Sequence, residues 1–125
     1  MILGVGIDVV ETARLARALT RTEGFEARVF TDGESADCAS RGDRVQALAA
    51  RFAAKEACLK ALGTGWTAGL GFRQVEVVRA SGGPPTLRLH GAAAERAASM
   101  GVTRIHVSLS HQPSTAAAVV VLEAG

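Results

Sequence analysis

Residues 2–9 are almost all Ile, Leu or Val with glycines between them, a weakly alternating apolar run that predicts a buried strand ending near Asp8. From residue 11 to about residue 20 the spacing changes. Ala13, Leu15, Ala16, Ala18 and Leu19 supply the apolar side of a helix, and Arg14, Arg17 and Arg21 fall at i, i+3 and i+7 on an exposed face. Residues 25–30 add a further helical turn. Thr31-Asp32-Gly33-Glu34 offers either a cap with a following acid or a plain turn, and residues 35–43 carry no readable period. The longest pattern follows: Val45, Leu48, Phe52, Leu59 and Leu62 recur mostly three or four apart with alanine in the gaps, which predicts a helix stopped by Gly63 and Gly65. Residues 66–71 are Gly-rich and read as a loop. Runs 72–79 and 86–90 are β-prone and flank Ser81-Gly82-Gly83-Pro84-Pro85, a turn that no helix crosses, so they predict a hairpin. Residues 91–100 read as an alanine-rich helix closed by Gly101, and runs 104–110 and 115–122 as a second hairpin. In run 104–110, Ile105, Val107 and Leu109 take one face while His106, Ser108 and Ser110 share the other.

The totals narrow the class. With 125 residues and 48% hydrophobic content there is enough chain for one core and too little for two ordinary domains, so residues 1–125 are expected to form a single domain. A formal charge of +2, with no basic run interleaved with aromatics, argues against a nucleic-acid partner and leaves any basic patch local. The opening run Met1 to Ile7 is short, lacks a charged leader and stops at Asp8, and the apolar run 116–122 is far too short to cross a bilayer. Neither a signal peptide nor a membrane span is expected, and the location expected is the cytosol. Cys38 and Cys58 have no metal-ligand spacing and read as reduced thiols without function.

Lysine usage changes the picture. Of fourteen basic side chains only Lys55 and Lys60 are lysine, a turn or so apart on the longest helix with Glu56 between them. At about 100° per residue, Glu56 lies about 40° round from Phe52, Lys60 about 80° round on the same side, and Lys55 about 60° round on the other. The charges therefore border the apolar stripe. Glu56 and Lys60 read either as an i,i+4 surface pair worth a few tenths of a kcal/mol, or as an ammonium for a phosphate oxygen beside a carboxylate for a hard cation. Asp8, at a strand end, is either a cap or turn residue or a ligand at a sheet edge. The Arg14, Arg17, Arg21 stripe is either a solvated face or a docking stripe for an acidic partner. The common nucleotide-binding and hydrolase motifs are absent, and Ser110 and His111 point to opposite faces of a strand, which disfavours a serine hydrolase. What remains is a set of parts for handling phosphate: Asp8 and Glu56 as oxygen ligands for Mg2+, Lys60 and Arg51 as cations, His106 and Ser108 as donors.

Four blocks give these parts a family. Gly6-Ile7-Asp8 with Glu11 and Arg14, then Arg51-Phe52-Ala53-Ala54-Lys55-Glu56-Ala57, then Lys60-Ala61-Leu62-Gly63-Thr64-Gly65, and finally His106-Val107-Ser108-Leu109-Ser110-His111 occur in the order and spacing of the small, single-domain holo-acyl-carrier-protein synthases. The chain resembles these phosphopantetheinyl transferases from Met1 almost to its end; residues 32–45 and 66–71 match poorly, and Gln112 has no motif assignment. The resemblance implies an α+β fold, a small antiparallel sheet packed against one long central helix, in a homotrimer with active sites between subunits. It also implies transfer of 4′-phosphopantetheine from coenzyme A to a serine of an acyl carrier protein, releasing adenosine 3′,5′-bisphosphate. Asp8 and Glu56 would hold Mg2+ on the coenzyme A diphosphate, and Lys60, with Gly63 at the helix end, would contact that diphosphate. Arg51 and His106, with Ser108 beside it, would lie near the nucleotide phosphates, and Arg14, on the stripe with Arg17 and Arg21, would face the carrier. The catalytic set is then Asp8, Glu56 and Lys60. Glu56 is the first choice of base and Glu34 the second. A noncatalytic coenzyme A-binding protein is the competing reading.

Overall fold

Helix α4 (Arg44–Leu62) is the element on which the others rest, in a computed structural model that describes residues 1–63 and 70–125. The expected stop at Gly65 and the expected loop at 66–69 lie outside the described residues. Ala47, Ala49, Ala50, Ala53, Ala54, Ala57 and Ala61 are all buried, so small side chains on most sides of α4 let neighbouring elements come close from several directions. The helix ends in a left-handed Gly63 (φ 75°), a conformation that costs glycine little.

The chain begins with β1 (Ile2–Glu11), α1 (Thr12–Arg21) and α2 (Phe25–Val29), and α3 (Asp32–Ala39) leads into α4. After α4 come a 3-10 turn at Phe72–Gln74, the hairpin β2 (Val75–Arg79) and β3 (Pro85–Leu89), α5 (Gly91–Met100), and the hairpin β4 (Arg104–Gln112) and β5 (Thr115–Glu123). β1, β5 and β4 form an antiparallel sheet in the order β1-β5-β4, and β2 and β3 form a separate two-stranded one. The register sets Asp8 opposite Ala118 and Ile105 opposite Leu122. The inner face of the larger sheet buries Val10, Ala116, Ala118, Val120 and Leu122 on the α4 side, while Val5, Ile7 and Val9 point outward with 59%, 63% and 62% of their surface exposed.

Three elements differ from the sequence expectation. The first strand does not end near Asp8 but runs on to Glu11 because its pairing with β5 continues to Thr115, so Asp8 lies inside β1, and only one face of the strand is covered. The run 72–79 opens as a 3-10 turn and becomes a strand only at Val75. Residues 32–39, unreadable by period, form a helix started by a capping box: the Thr31 hydroxyl accepts from the Glu34 amide, and the Glu34 carboxylate accepts from the Thr31 amide. The sequence left cap and plain turn open; the structure makes it the cap, of a helix too short and too polar to show a stripe.

Candidate active site

Three of the residues proposed from sequence meet where the second half of β1 crosses α4. Lys60 Nζ donates to Asp8 Oδ1 at 2.9 Å and to the Ile7 carbonyl at 3.1 Å, bridging strand and helix. Glu56, one turn back along α4, lies within hydrogen-bonding reach of Asp8. Burial, then the Asp8 charge and hydrogen bond, push the Glu56 carboxyl above the usual range, against the pull of Lys60 and Arg14. The Asp8 hydrogen bond in turn holds the Lys60 ammonium above its ordinary value. Asp8 and Glu56 open on a cleft of about 450 Å³ whose other lining includes Arg14, Leu15, Phe25 and Phe52, and Lys60 joins them through its bond to Asp8. The rings of Phe25 and Phe52 are 6.3 Å apart, and Phe72 continues the row 5.1 Å beyond Phe52. Two carboxylates that strain against each other's charge are a fitting seat for a hard divalent cation that keeps waters and takes its other ligands from phosphate, as Mg2+ does. Among the described residues no larger cluster of His, Cys, Asp and Glu exists to compete for it.

A second, basic cleft lies on the other side of α4. Arg51 and Glu56 are five residues apart, about 140° round the helix, so they serve different surfaces. Arg51 is 4% exposed and poorly satisfied: Nη1 reaches the Ala47 carbonyl at 3.4 Å, Nη2 stands 4.0 Å from Asp37, and Nε has no partner among the described residues. With Arg79, Pro85 and His111 it lines a space of about 280 Å³. His111 Nε2 is 3.8 Å from Asp43, which Arg41 already holds at 2.8 and 3.0 Å. A buried guanidinium with spare donors beside a second arginine and a histidine is built to receive an anion.

Comparison with known proteins shows the family. Residues 4–120 match the family model of the 4′-phosphopantetheinyl transferase superfamily. The chain belongs to that superfamily. It is 51% identical to the holo-[acyl-carrier-protein] synthase of Methylobacterium radiotolerans, over 99% of this chain and 95% of the relative. Its fold matches the crystal structure of the holo-[acyl-carrier-protein] synthase from Neisseria meningitidis with a TM-score of 0.87 at 34% identity, covering 98% and 99% of the two chains. It also matches the Bacillus anthracis holo-(acyl-carrier-protein) synthase in complex with CoA (3′,5′-ADP), with a TM-score of 0.81 at 35% identity over 100% and 99%.

Within this transferase fold the remaining candidates fall in distinct places. Gly63 caps α4 three residues beyond Lys60, its amide bonded to the Lys60 carbonyl. Arg14, Arg17 and Arg21 are exposed along α1 and make no ion pair with a described residue; Arg14 alone borders the carboxylate cleft. His106 and Ser108 meet neither cleft. They lie on the outer face of β4, with His106 Nε2 2.9 Å from Glu123 Oε1. His111, five positions on, is the histidine that faces Arg51, and it shares the inward register of Ile105, Val107 and Leu109. Sequence reasoning missed His111; the strand alternation that sets it opposite His106 is the signal that could have found it.

Glu34, the second choice of base, has no access to substrate. It is fully buried, 2.6 Å from the equally buried Lys55, and accepts from the Thr31 and Val77 amides. Lys55 also donates to the carbonyls of Phe72 and Val75 at 3.0 and 2.6 Å. Burial pushes the Lys55 ammonium below its ordinary range more strongly than Glu34 holds it up. Of the two lysines that departed from the arginine habit, one is an internal strut and the other is exposed and bonded to Asp8, which lines the cleft.

Proposed function

We propose that this chain transfers 4′-phosphopantetheine from coenzyme A to a serine of an apo-acyl carrier protein, leaving adenosine 3′,5′-bisphosphate, with Mg2+ held by Asp8 and Glu56. The observation that carries the reading is the meeting of Asp8, Glu56 and Lys60 beside a cleft that Asp8 and Glu56 line together with Arg14, Phe25 and Phe52. Bound there, Mg2+ would supply neutralising charge to the diphosphate as the phosphorus–oxygen bond breaks. Lys60 sets an exposed ammonium beside the same phosphates, and the Glu56 carboxylate accepts the proton of the attacking serine hydroxyl. Arg14, with Arg17 and Arg21 behind it, steers an acidic carrier toward the cleft.

The arrangement of the two clefts supports a homotrimer with shared sites. A coenzyme A molecule carries a diphosphate and a separate 3′-phosphate, while this chain sets its carboxylate–lysine cluster and its Arg51–Arg79–His111 cluster on opposite sides of α4. Packing of subunits lets one copy's basic cleft complete another's carboxylate cleft. The outer sheet face offers the contact: Val5, Ile7 and Val9 beside Val119 and Val121 make an apolar surface of the kind that subunits cover. No helix among the described residues is long and apolar enough to cross a membrane, which accords with a cytoplasmic enzyme. Intact-mass spectrometry tests the function. With coenzyme A, Mg2+ and a panel of apo carriers, at least one carrier gains one phosphopantetheine; if all stay unmodified while coenzyme A still binds, the chain is a coenzyme A-binding protein and not a transferase.

A further inference from the structure

The spacing between β1 and α4 is set by two glycines, and it is tightest beside the proposed metal ligands. A Cβ built on Gly6 would stand 1.8 Å from the Ala57 carbonyl oxygen, and one on Gly4 would stand 2.3 Å from the Ala61 carbonyl oxygen, where real Cβ atoms keep at least 3.0 Å. Both obstacles are helix backbone, which has no rotamer to escape into. Neither glycine has a positive φ, so their need is for close approach and not for an unusual conformation. The two contacts follow one geometric rule: two residues of strand span about 6.6 Å and four residues of helix about 6 Å, so strand and helix march past each other in step. Asp8 is the next residue on the same face of β1, and the matching turn of α4 is the one that carries Glu56.

On that basis we infer that Gly6 is a positioning residue for the Asp8–Glu56 metal site, holding strand against helix so closely that the short aspartate arm reaches its partner carboxylate. The inference rests on the Mg2+ reading above. A methyl group at position 6 has to lift β1 from α4 by about an ångström, and a shift of that size separates the ligands of a cation whose bonds run about 2.0–2.1 Å. Gly4 makes the same kind of contact one step further from the carboxylates, so its replacement disturbs packing at the Met1 end while the β5 pairing at Asp8 and Val9 stays in register.

Mn2+ serves as the probe, titrated by electron paramagnetic resonance into enzyme with coenzyme A and no carrier, so that no turnover contributes. Gly6→Ala weakens Mn2+ binding by about tenfold to a hundredfold, the range for changes that move a ligand without removing it. Gly4→Ala lowers the unfolding midpoint comparably yet leaves Mn2+ affinity near wild type. Adding Asp8→Glu to Gly6→Ala restores part of the affinity, because a longer arm spans the widened gap; a purely structural defect gains nothing from it. If Gly6→Ala does not fold, Asp8→Glu in the native chain decides: one methylene too long against an unmoved helix, it weakens Mn2+ binding, and wild-type affinity overturns the inference. Wild-type Mn2+ affinity in a folded Gly6→Ala variant also overturns it, with the metal site standing. Wild-type enzyme that binds Mn2+ no better than Asp8→Ala removes the metal reading itself, and the positioning role with it.

Discussion

Replacing Lys55 by methionine separates the strut from the chemistry. The change removes one partner of a fully buried ion pair: Glu34 loses the ammonium at 2.6 Å, and the Phe72 and Val75 carbonyls lose their shared donor. Glu34 keeps its bonds from the Thr31 and Val77 amides, so it stays in place as a charge without a counter-ion. Breaking a buried pair in this way costs about 3–5 kcal/mol, a large part of the 5–15 kcal/mol that holds a typical domain folded. For a 125-residue chain that corresponds to a fall in Tm of about 12–20 °C. The double variant Lys55→Met with Glu34→Gln removes both charges and loses less than the sum of the two single changes. Urea unfolding at one fixed protein concentration gives the stabilities, and initial transfer rates well below Tm give the activity. The folded Lys55→Met variant keeps the KM for coenzyme A. A variant with wild-type stability and no transfer would refute the strut and place Lys55 in the reaction.

Four further outcomes follow from the geometry. Asp8→Ala and Glu56→Ala each abolish carrier modification at saturating Mg2+ while the circular dichroism spectrum is unchanged, since a site of two carboxylates cannot lose one; normal turnover in either removes the assignment. Charge reversal of Arg14 and Arg21 raises the carrier KM, most at low salt, and leaves coenzyme A binding alone, because steering is screened over about 8–10 Å at ordinary ionic strength; a salt-independent carrier KM equal to wild type sinks the docking role. Val5→Glu puts a charge on the outer sheet face and dissociates the proposed trimer, as light scattering would show; a wild-type chain that is monomeric contradicts the assembly. The His90 hydrogen bond, then the Thr31 hydroxyl, hold the Glu76 carboxyl below its ordinary 4.5. Its folded value is the lower one, so its stabilisation is complete above about 4.5 and is lost as pH falls through the folded value. Glu76→Gln therefore flattens the acid limb of the stability curve, and superimposable limbs would rule this out.

What the sequence disclosed depended on whether a local period could carry it. The run in β1 and the stripe from Val45 to Leu62 are long and regular, and they brought Asp8 and the Glu56–Lys60 pair onto elements that do cross. The two lysines were not separable, because each borders the apolar stripe at a similar angle. Which one is buried is decided by Glu34, a residue 21 positions earlier in a segment with no period of its own. The histidines show the same limit. Strand alternation divides His106 from His111, but which face of β4 packs on α4 is a tertiary fact that no local period carries. The closeness of β1 to α4 left a trace in Gly4 and Gly6, a pair too weak as a nucleotide-binding motif and informative only once the Ala57 carbonyl is seen opposite.

Counting both products in one reaction tests the transferase reading most directly. Adenosine 3′,5′-bisphosphate measured by chromatography should equal the modified carrier measured by mass, one for one, and both should vanish when the carrier's acceptor serine is replaced by alanine or Asp8 is replaced by alanine. Bisphosphate released without modified carrier would mean that water and not serine attacks the phosphorus, and would contradict the account.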